Sequence, residues 1–345
     1  MTARASRRSI VLGALGITLV ILALVCASVG AVRVPLGVVL HAIANPAEIP
    51  AQQASVLFAI RFPRVVLAVL VGSGLGVSGA AMQGVFRNPL VDPGLLGVST
   101  GAGFGAALAI VLADRLVRAG LPSFLSGWLV SLFAFGGGLV AATIAERVAR
   151  VDGRTSIATL LLAGIAVNGL AGALTGALLW FADDAQLRTI VFWTFGSLGG
   201  ATWRSIAVCA PFVVLPALLL PRSARALNAL LLGDSDAGYL GHDVERVRRL
   251  VVVAVALVVG AAVAATGVVG FVGLVVPHLV RLWAGPDHRV VLPGAALLGA
   301  ILLLASDLIA RTVVVPAELP LGVVTAALGT PFFLALLLRE RRRIA

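Results

Sequence analysis

Between Arg61 and Gly105 the chain carries two apolar runs separated by a proline-rich turn, and the glycines of both runs recur every fourth residue. The first run, Val65 to Met82, is long enough to cross the roughly 30 Å hydrocarbon core of a bilayer as a helix. It places Gly72, Gly76, Ala80 and Gly84 in one stripe, and the second run does the same with Gly97, Gly101 and Gly105. Lipid tails are as apolar as leucine, so helices in a membrane associate by close packing, and small-residue stripes let their backbones approach. In the turn, Asp92 is suited to cap the free amides of a new helix and Pro93 to occupy its first position. The stretch predicts two tightly packed helices, with Arg61 and Arg64 at one end and a stiff corner at the other.

Composition extends this to the whole chain. Of 345 residues 60% are hydrophobic and 12% charged, whereas a soluble domain is roughly half apolar and about a quarter charged. The fold class is therefore an all-α polytopic membrane protein, one transmembrane domain over 1–345, in contact with lipid. A net charge of +11 would suggest nucleic acid in a soluble protein; here it reads as orientation-setting charge in the loops, with no nucleic-acid partner. All 26 basic residues are arginine, which excludes a P-loop and a Schiff-base lysine. Cys26 and Cys209 lie in apolar runs and read as packing residues. His41, His242, His278 and His288 have no metal-ligand spacing, so no metal site is expected. The spans hold no nucleophile–base pair, so no catalytic residue is assigned. Arg4, Arg7 and Arg8 before an apolar run resemble a signal peptide, but the many later spans favour an uncleaved first helix.

Hydropathy predicts about ten spans: Ile10–Val32, Arg61–Gly84, Pro93–Leu112, Phe124–Ala145, Ser156–Phe181, Trp203–Leu220, Leu250–Thr266, Phe271–Trp283, Val291–Ile309 and Leu321–Leu338. Residues 33–60 read as a polar outer loop. The stretch 183–200 is too short and mixed to span and reads as a re-entrant or interfacial helix at about 185–197. With both termini inside, 18 arginines face the cytoplasm and 8 lie outside (Arg33, Arg61, Arg64, Arg115, Arg118, Arg188, Arg204 and Arg311), the expected bias. Spans two to five and seven to ten form two groups of four, which permits an inverted repeat.

Several stretches carry functional alternatives. In 225–242, Leu227, Leu230 and Leu231 give an apolar face closed by Gly233. Asp234, Ser235 and Asp236 then offer caps for a second short helix holding Tyr239 and Leu240 and closed by Gly241. This element is either a connector or a docking knob for a cytoplasmic partner. In the fifth span Gly164, Asn168, Gly172 and Gly176 share one face, which either packs on a neighbour or lines a pathway. Asn88 reads as a cap or turn residue. Arg61 and Arg64 anchor a helix end at the headgroups or meet a partner. Asp307 pairs with Arg311 one turn away; an intramembrane acid also keeps open an ion-coupled secondary transporter.

LNALLLGDSDAGYLG resembles the coupling-helix pair of FecCD-type permeases, the cobalamin, siderophore and haem importers among type II ABC transporters. RFPR, RNPLVDPGLLGVSTGAG, GFVGLVVPHLVRL and DLIARTVVVPAELPLGVVTAALGTPFFLALLL resemble the same family, in the same order. The resemblance implies a homodimeric permease in the bacterial inner membrane, two ATPase subunits that hold ATP and Mg, and a periplasmic substrate-binding protein. This chain itself then needs no cofactor and is not an enzyme. It implies that Arg61, Arg64 and Arg311 meet carboxylates of the binding protein, that Asn88 and Leu90 line a cytoplasmic gate, and that the fifth span lies beside the pathway. The second gate element of the family has no clean match at Ser156–Thr159. The expected cargo is an iron chelate, with haem ahead of ferric siderophores and cobalamin.

Overall fold

A computed structural model describes residues 2–30, 32–120, 122, 125, 127–151 and 154–344. The chain is a helical bundle. Helix α1 covers Thr2–Ser28, α2 Leu36–Ala44 and α3 Ala51–Phe86. A 3-10 turn, Pro93–Leu96, leads into α4, Val98–Arg118. Helices α5, Leu129–Ala149, and α6, Ile157–Phe181, are joined through a two-residue antiparallel ribbon, β1 (Arg150–Val151) with β2 (Arg154–Thr155). Then follow α7 (Asp184–Thr194), α8 (Trp203–Leu219), α9 (Ala224–Leu230), α10 (Asp234–Tyr239), α11 (Val244–Thr266), α12 (Val272–Ala284), α13 (His288–Ala310) and α14 (Leu321–Ile344). Among the described residues seven helices are long and apolar enough to cross a membrane, and three shorter apolar ones, 98–113, 272–284 and 321–335, complete the ten expected spans. Phe124, the expected start of the fourth span, lies outside the described residues.

The second span begins earlier than its hydropathy suggests. The polar stretch before Arg61 is helical from Ala51 onward, because nothing between Pro50 and Pro63 breaks a helix. Pro63 has no N–H to offer Ala59 and its ring would strike that carbonyl; a π turn at Val56–Arg61 falls immediately before it and absorbs the misfit. Arg61 therefore sits about 15 Å along α3 rather than at its tip. From Arg64 to Phe86 the helix rises about 33 Å, one bilayer core.

The corner after α3 forms as its residues dictate. Asp92 Oδ1 accepts the Gly94 N–H at 2.7 Å with Pro93 at the first position. The turn stays 3-10, however, and Gly97 (φ 85°) breaks it before α4 starts at Val98. The sixth span ends where expected: α8 stops at Leu219, and a 3-10 turn, Leu220–Ser223, containing Pro221, carries the chain into α9. The short helix α7 has 11 residues, about 16 Å, and cannot span. Asp183 and Gln186 form a capping box at its start. Its far end is pinned by Ser197 N–H to Thr266 O (2.7 Å) and Leu321 N–H to Gly196 O (2.9 Å).

Both glycine stripes are contact seams. A Cβ on Gly72 would lie 2.4 Å from Gly299 O and one on Gly76 2.1 Å from Ala295 O, so α3 meets α13 backbone to backbone. A Cβ on Gly101 would lie 2.6 Å from Gly137 O and one on Gly105 2.0 Å from Phe133 O, so α4 meets α5 in the same way. At these four positions there is no room for a side chain. Gly76→Ala and Gly105→Ala should each cost about 1–3 kcal/mol through overpacking and lower the melting temperature of the detergent-purified protein. Gly176→Ala, with nothing within 4 Å of the new Cβ, should leave it unchanged.

Candidate functional site: two charged clusters at opposite ends of the bundle

At one end the structure brings Arg61, Arg64 and Arg311 together, and all three are buried, at 4%, 7% and 8% exposure. They are not headgroup anchors. Helix α1 ends at Ser28, and its last carbonyls have no partner within the helix. Arg61 Nη1 donates to Ala27 O (2.6 Å) and Ser28 O (2.7 Å), and its Nη2 donates to Val32 O. Arg311 donates to Cys26 O (2.7 Å) and Val29 O (2.9 Å). Two guanidinium groups thus close the carbonyl end of α1, where the helix dipole also favours cations.

Arg64 faces acids instead. Its Nε donates to Asp307 Oδ1 at 2.8 Å, and its fork holds Glu318 at 2.8 and 2.9 Å, the bidentate pairing that guanidinium and carboxylate geometry favour. Asp307, 1% exposed, also meets Arg311 Nε at 3.3 Å, as the one-turn spacing predicts. Arg64 and Arg311 share Asp307, Arg64 also holds Glu318, and with Arg61 they surround a pocket of about 190 Å³ lined by Arg61, Arg64, Arg311, Val315, Pro316 and Glu318. Glu318 lies in the DLIARTVVVPAELPLG stretch, where nothing local marks it as a partner of Arg64. Its partner lies 254 residues away, and no spacing rule reaches that far.

At the other end sits the segment expected at 225–242. It forms two short helices, α9 and α10, turned at Gly233 (φ 138°) and Gly241 (φ 83°). Leu227 and Leu230 are fully buried, but Leu231 is 44% exposed. The apolar face therefore does not include Leu231. Leu231, Leu232, Tyr239 and Leu240 form an exposed apolar surface instead. The capping expectation is also corrected: Gly233 takes the N-cap position, and Asp234 and Asp236 fall in the first turn. Asp234 instead meets Arg248 at 2.6 Å and Arg87 at 3.5 Å. Asn228 on α9 donates to Asp287 Oδ1 (2.8 Å) and accepts the His288 N–H (2.9 Å), while Arg8 reaches Asp287 Oδ2 (3.0 Å).

Asn88 and Leu90 lie in the corner beside this cluster. Asn88 Oδ1 accepts the Leu90 N–H at 2.9 Å, a side-chain turn, and Arg87 before it is left-handed (φ 51°). The α6 stripe divides. A Cβ on Gly164 would lie 1.9 Å from Leu95 O, so that glycine packs on the corner. Asn168 accepts from Thr100 Oγ1 and donates to Gly94 O at 3.4 Å. Gly172 and Gly176 face open space. Among the described residues no group of His, Cys, Asp and Glu is arranged to hold a metal.

A ten-span bundle with a charged pocket at one end and a two-helix knob at the other defines a membrane permease. The profile of the FecCD transport family matches residues 18–339, and the chain belongs to that family. It is 46% identical over 334 residues to the hemin transport system permease HmuU of Yersinia pestis, covering 97% of both chains. It is 44% identical over 282 residues to the cobalamin import permease BtuC of Halobacterium salinarum, covering 82% of this chain and 73% of that one. Among solved structures, a metal-chelate type ABC transporter in an inward-facing conformation superposes with a TM-score of 0.80 at 32% identity, over 95% of this chain and 99% of that one. PsaBC from Streptococcus pneumoniae, at 17% identity and a TM-score of 0.55 over 79% of this chain and 89% of that one, shares the fold. The chain is accordingly a multi-pass membrane protein and a permease subunit of an ABC transporter.

The Glu318–Arg64 pair has a pH signature. The hydrogen bonds from Arg64 hold the Glu318 carboxyl below its ordinary value of 4.5, ahead of partial burial, which pushes the other way. A lowered value means the pair stabilises the fold above pH 4.5 and stops doing so as pH falls through the lowered value. Glu318→Gln should therefore lower the melting temperature at pH 7, by about 1 kcal/mol of stability given its half-exposed position. The gap to the unmodified protein should close in a titration below pH 4.5.

Proposed function

We propose that this chain moves haem from a periplasmic binding protein to the cytoplasm, as one of two identical permease subunits driven by two ATPase subunits. The 46% identity to a hemin permease over 97% of both chains carries the reading of the cargo. A second reading, cobalamin or another metal chelate, draws on the BtuC relatives and on the metal-chelate transporter of the same fold. The membrane is the bacterial inner membrane with both termini cytoplasmic, supported by the arginine bias of the loops.

The exposed Leu231, Leu232, Tyr239 and Leu240 are the surface offered to the ATPase. The pocket around Arg61, Arg64 and Arg311 receives a carboxylate of the binding protein. Its support is the charge count there, three guanidinium groups to two carboxylates. In the present conformation Glu318 occupies the fork of Arg64, so an incoming carboxylate competes with it. Asn88 and Leu90 guard the exit, and the open Gly172 and Gly176 face of α6 borders the pathway. An ion-coupled carrier working alone needs a free intramembrane acid, and Asp307 is held by both Arg64 and Arg311.

Proteoliposomes containing the permease, its ATPase and the haem-loaded binding protein should accumulate haem only with ATP. Uptake of cobalamin or a ferric siderophore in preference to haem overturns the cargo reading, and uptake without ATPase overturns the subunit reading. Glu318→Gln should tighten binding-protein affinity several-fold, on the order of a lost competing ion pair; surface plasmon resonance showing weaker binding would argue against docking at this pocket.

A further inference from the structure

We propose that Asp234 and Arg248 form the joint through which movement of the α9–α10 knob reaches the transmembrane helices. This rests on the reading of the chain as an ATP-driven permease and assigns four residues within it. Asp234 and Arg248 act as positioning residues, with Arg87 and Glu245 as the two outlets.

The geometry converges on one carboxylate. Asp234 opens α10, the part of the knob that carries the exposed Tyr239 and Leu240. Its side chain is 45% exposed, yet its Oδ2 lies 2.6 Å from Nη2 of Arg248, whose side chain is only 8% exposed. Its Oδ1 lies 3.5 Å from Arg87, the left-handed residue that ends α3 and precedes the Asn88 corner. Arg248, on the first turns of α11, also donates to Thr155 O at 3.4 Å. Glu245, one turn earlier, accepts the Thr155 N–H at 3.1 Å and its hydroxyl at 2.7 Å. Thr155 ends the ribbon that leads into α6. One acid on the knob is thus connected to the end of α3, the start of α11 and the start of α6.

Energetics make the joint directional. Arg248 is a buried cation whose Nε has no partner, and its other acid, Glu245, stands at 3.8 Å. A buried charge deprived of its close counter-ion is strongly unfavourable. When the knob is displaced, Arg248 either loses its main partner, at the cost of a buried unpaired charge, or follows Asp234 and pulls on Thr155 through the bond to its carbonyl. The first half of the knob is joined differently: Leu227 and Leu230 of α9 are buried in the core of the bundle, and Asn228 is tied to the start of α13. The α10 half of the knob therefore combines an exposed apolar surface with one acid, Asp234, that reaches the bundle.

The test measures coupling rather than activity alone. In the reconstituted complex, Asp234→Asn should leave ATPase assembly and ATP hydrolysis within about twofold and reduce substrate moved per ATP by about tenfold, a typical inter-site coupling. Asp234→Glu should recover most of that ratio, and Ser235→Ala, beside Asp234 but outside the network, should not change it. An unchanged ratio in Asp234→Asn overturns the proposal, as does loss of ATPase assembly, which would make Asp234 a docking residue. A complex that moves nothing with ATP, even unmodified, refutes the permease reading instead. Hydrogen exchange on the permease alone judges the joint independently. Asp234→Asn should raise exchange at residues 154–157 and 88–91 while the α3–α13 seam stays protected, and no difference at those residues overturns the joint.

Discussion

The approach of α3 and α13, backbone against backbone, is the contact on which both functional ends depend. Gly72 and Gly76 admit the carbonyls of Gly299 and Ala295 with no space for a methyl group. In a bilayer this packing replaces the hydrophobic force that holds soluble cores together. The same two helices carry Arg64 and Asp307 at one end of the seam. At the other end the ring of His288 fills the space beside Gly84. Dispersion falls away within an ångström of separation, so a seam this close behaves as one solid rod. A rod keeps its two ends in fixed relation, which allows the charged pocket and the knob cluster to belong to one machine.

Charge in an apolar interior then dictates what surrounds each end. A buried arginine must be paired, by acids or by carbonyls, and the chain uses both solutions side by side. Arg61 and Arg311 close the last turn of α1 through its carbonyls, and Arg64 binds two acids. The planar fork suits these multiple contacts better than an ammonium point charge, which gives physical sense to a chain whose 26 basic residues are all arginine. At the opposite end Asp287 bridges Arg8, Asn228 and the Arg289 N–H. These contacts hold its carboxyl below the ordinary value against the opposing effect of burial. The first helix is therefore tied in at both ends, by arginines of α3 and α13 at its carbonyl terminus and by Arg8 near its start.

The parts of this arrangement that were legible in the sequence are those set by local rules. Glycine spacing announced both seams, Asp92–Pro93 announced the corner, and Gly233 and Gly241 announced the limits of the second short helix. The misreadings have local causes too. Residues 51–60 mix polar and apolar types and looked like loop, although they contain no breaker; the π turn before Pro63 is a geometric accommodation that hydropathy does not register. Leu231 looked like part of an apolar face because a seven-residue helix defines its face poorly. The pairings Arg64–Glu318 and Arg248–Asp234 had no signature at all. The first joins residues 254 apart, and the second joins a knob to a helix across a turn. Knowing that an arginine is buried demands an acid, but only the fold says which one.

The α6 stripe shows how one sequence pattern can serve two physical purposes. Gly164 and Asn168 are held by the corner, through Leu95 O, Gly94 O and Thr100, while Gly172 and Gly176 two turns further on touch nothing. The near half of α6 therefore moves with the 93–97 turn, and the far half is free of that constraint. The near half is also the half joined to Thr155, and through Glu245 and Arg248 to the knob. Displacement of the knob accordingly reaches α6 where the helix is fastened to the corner, and both elements respond together. The open glycine face is then carried along on the far half.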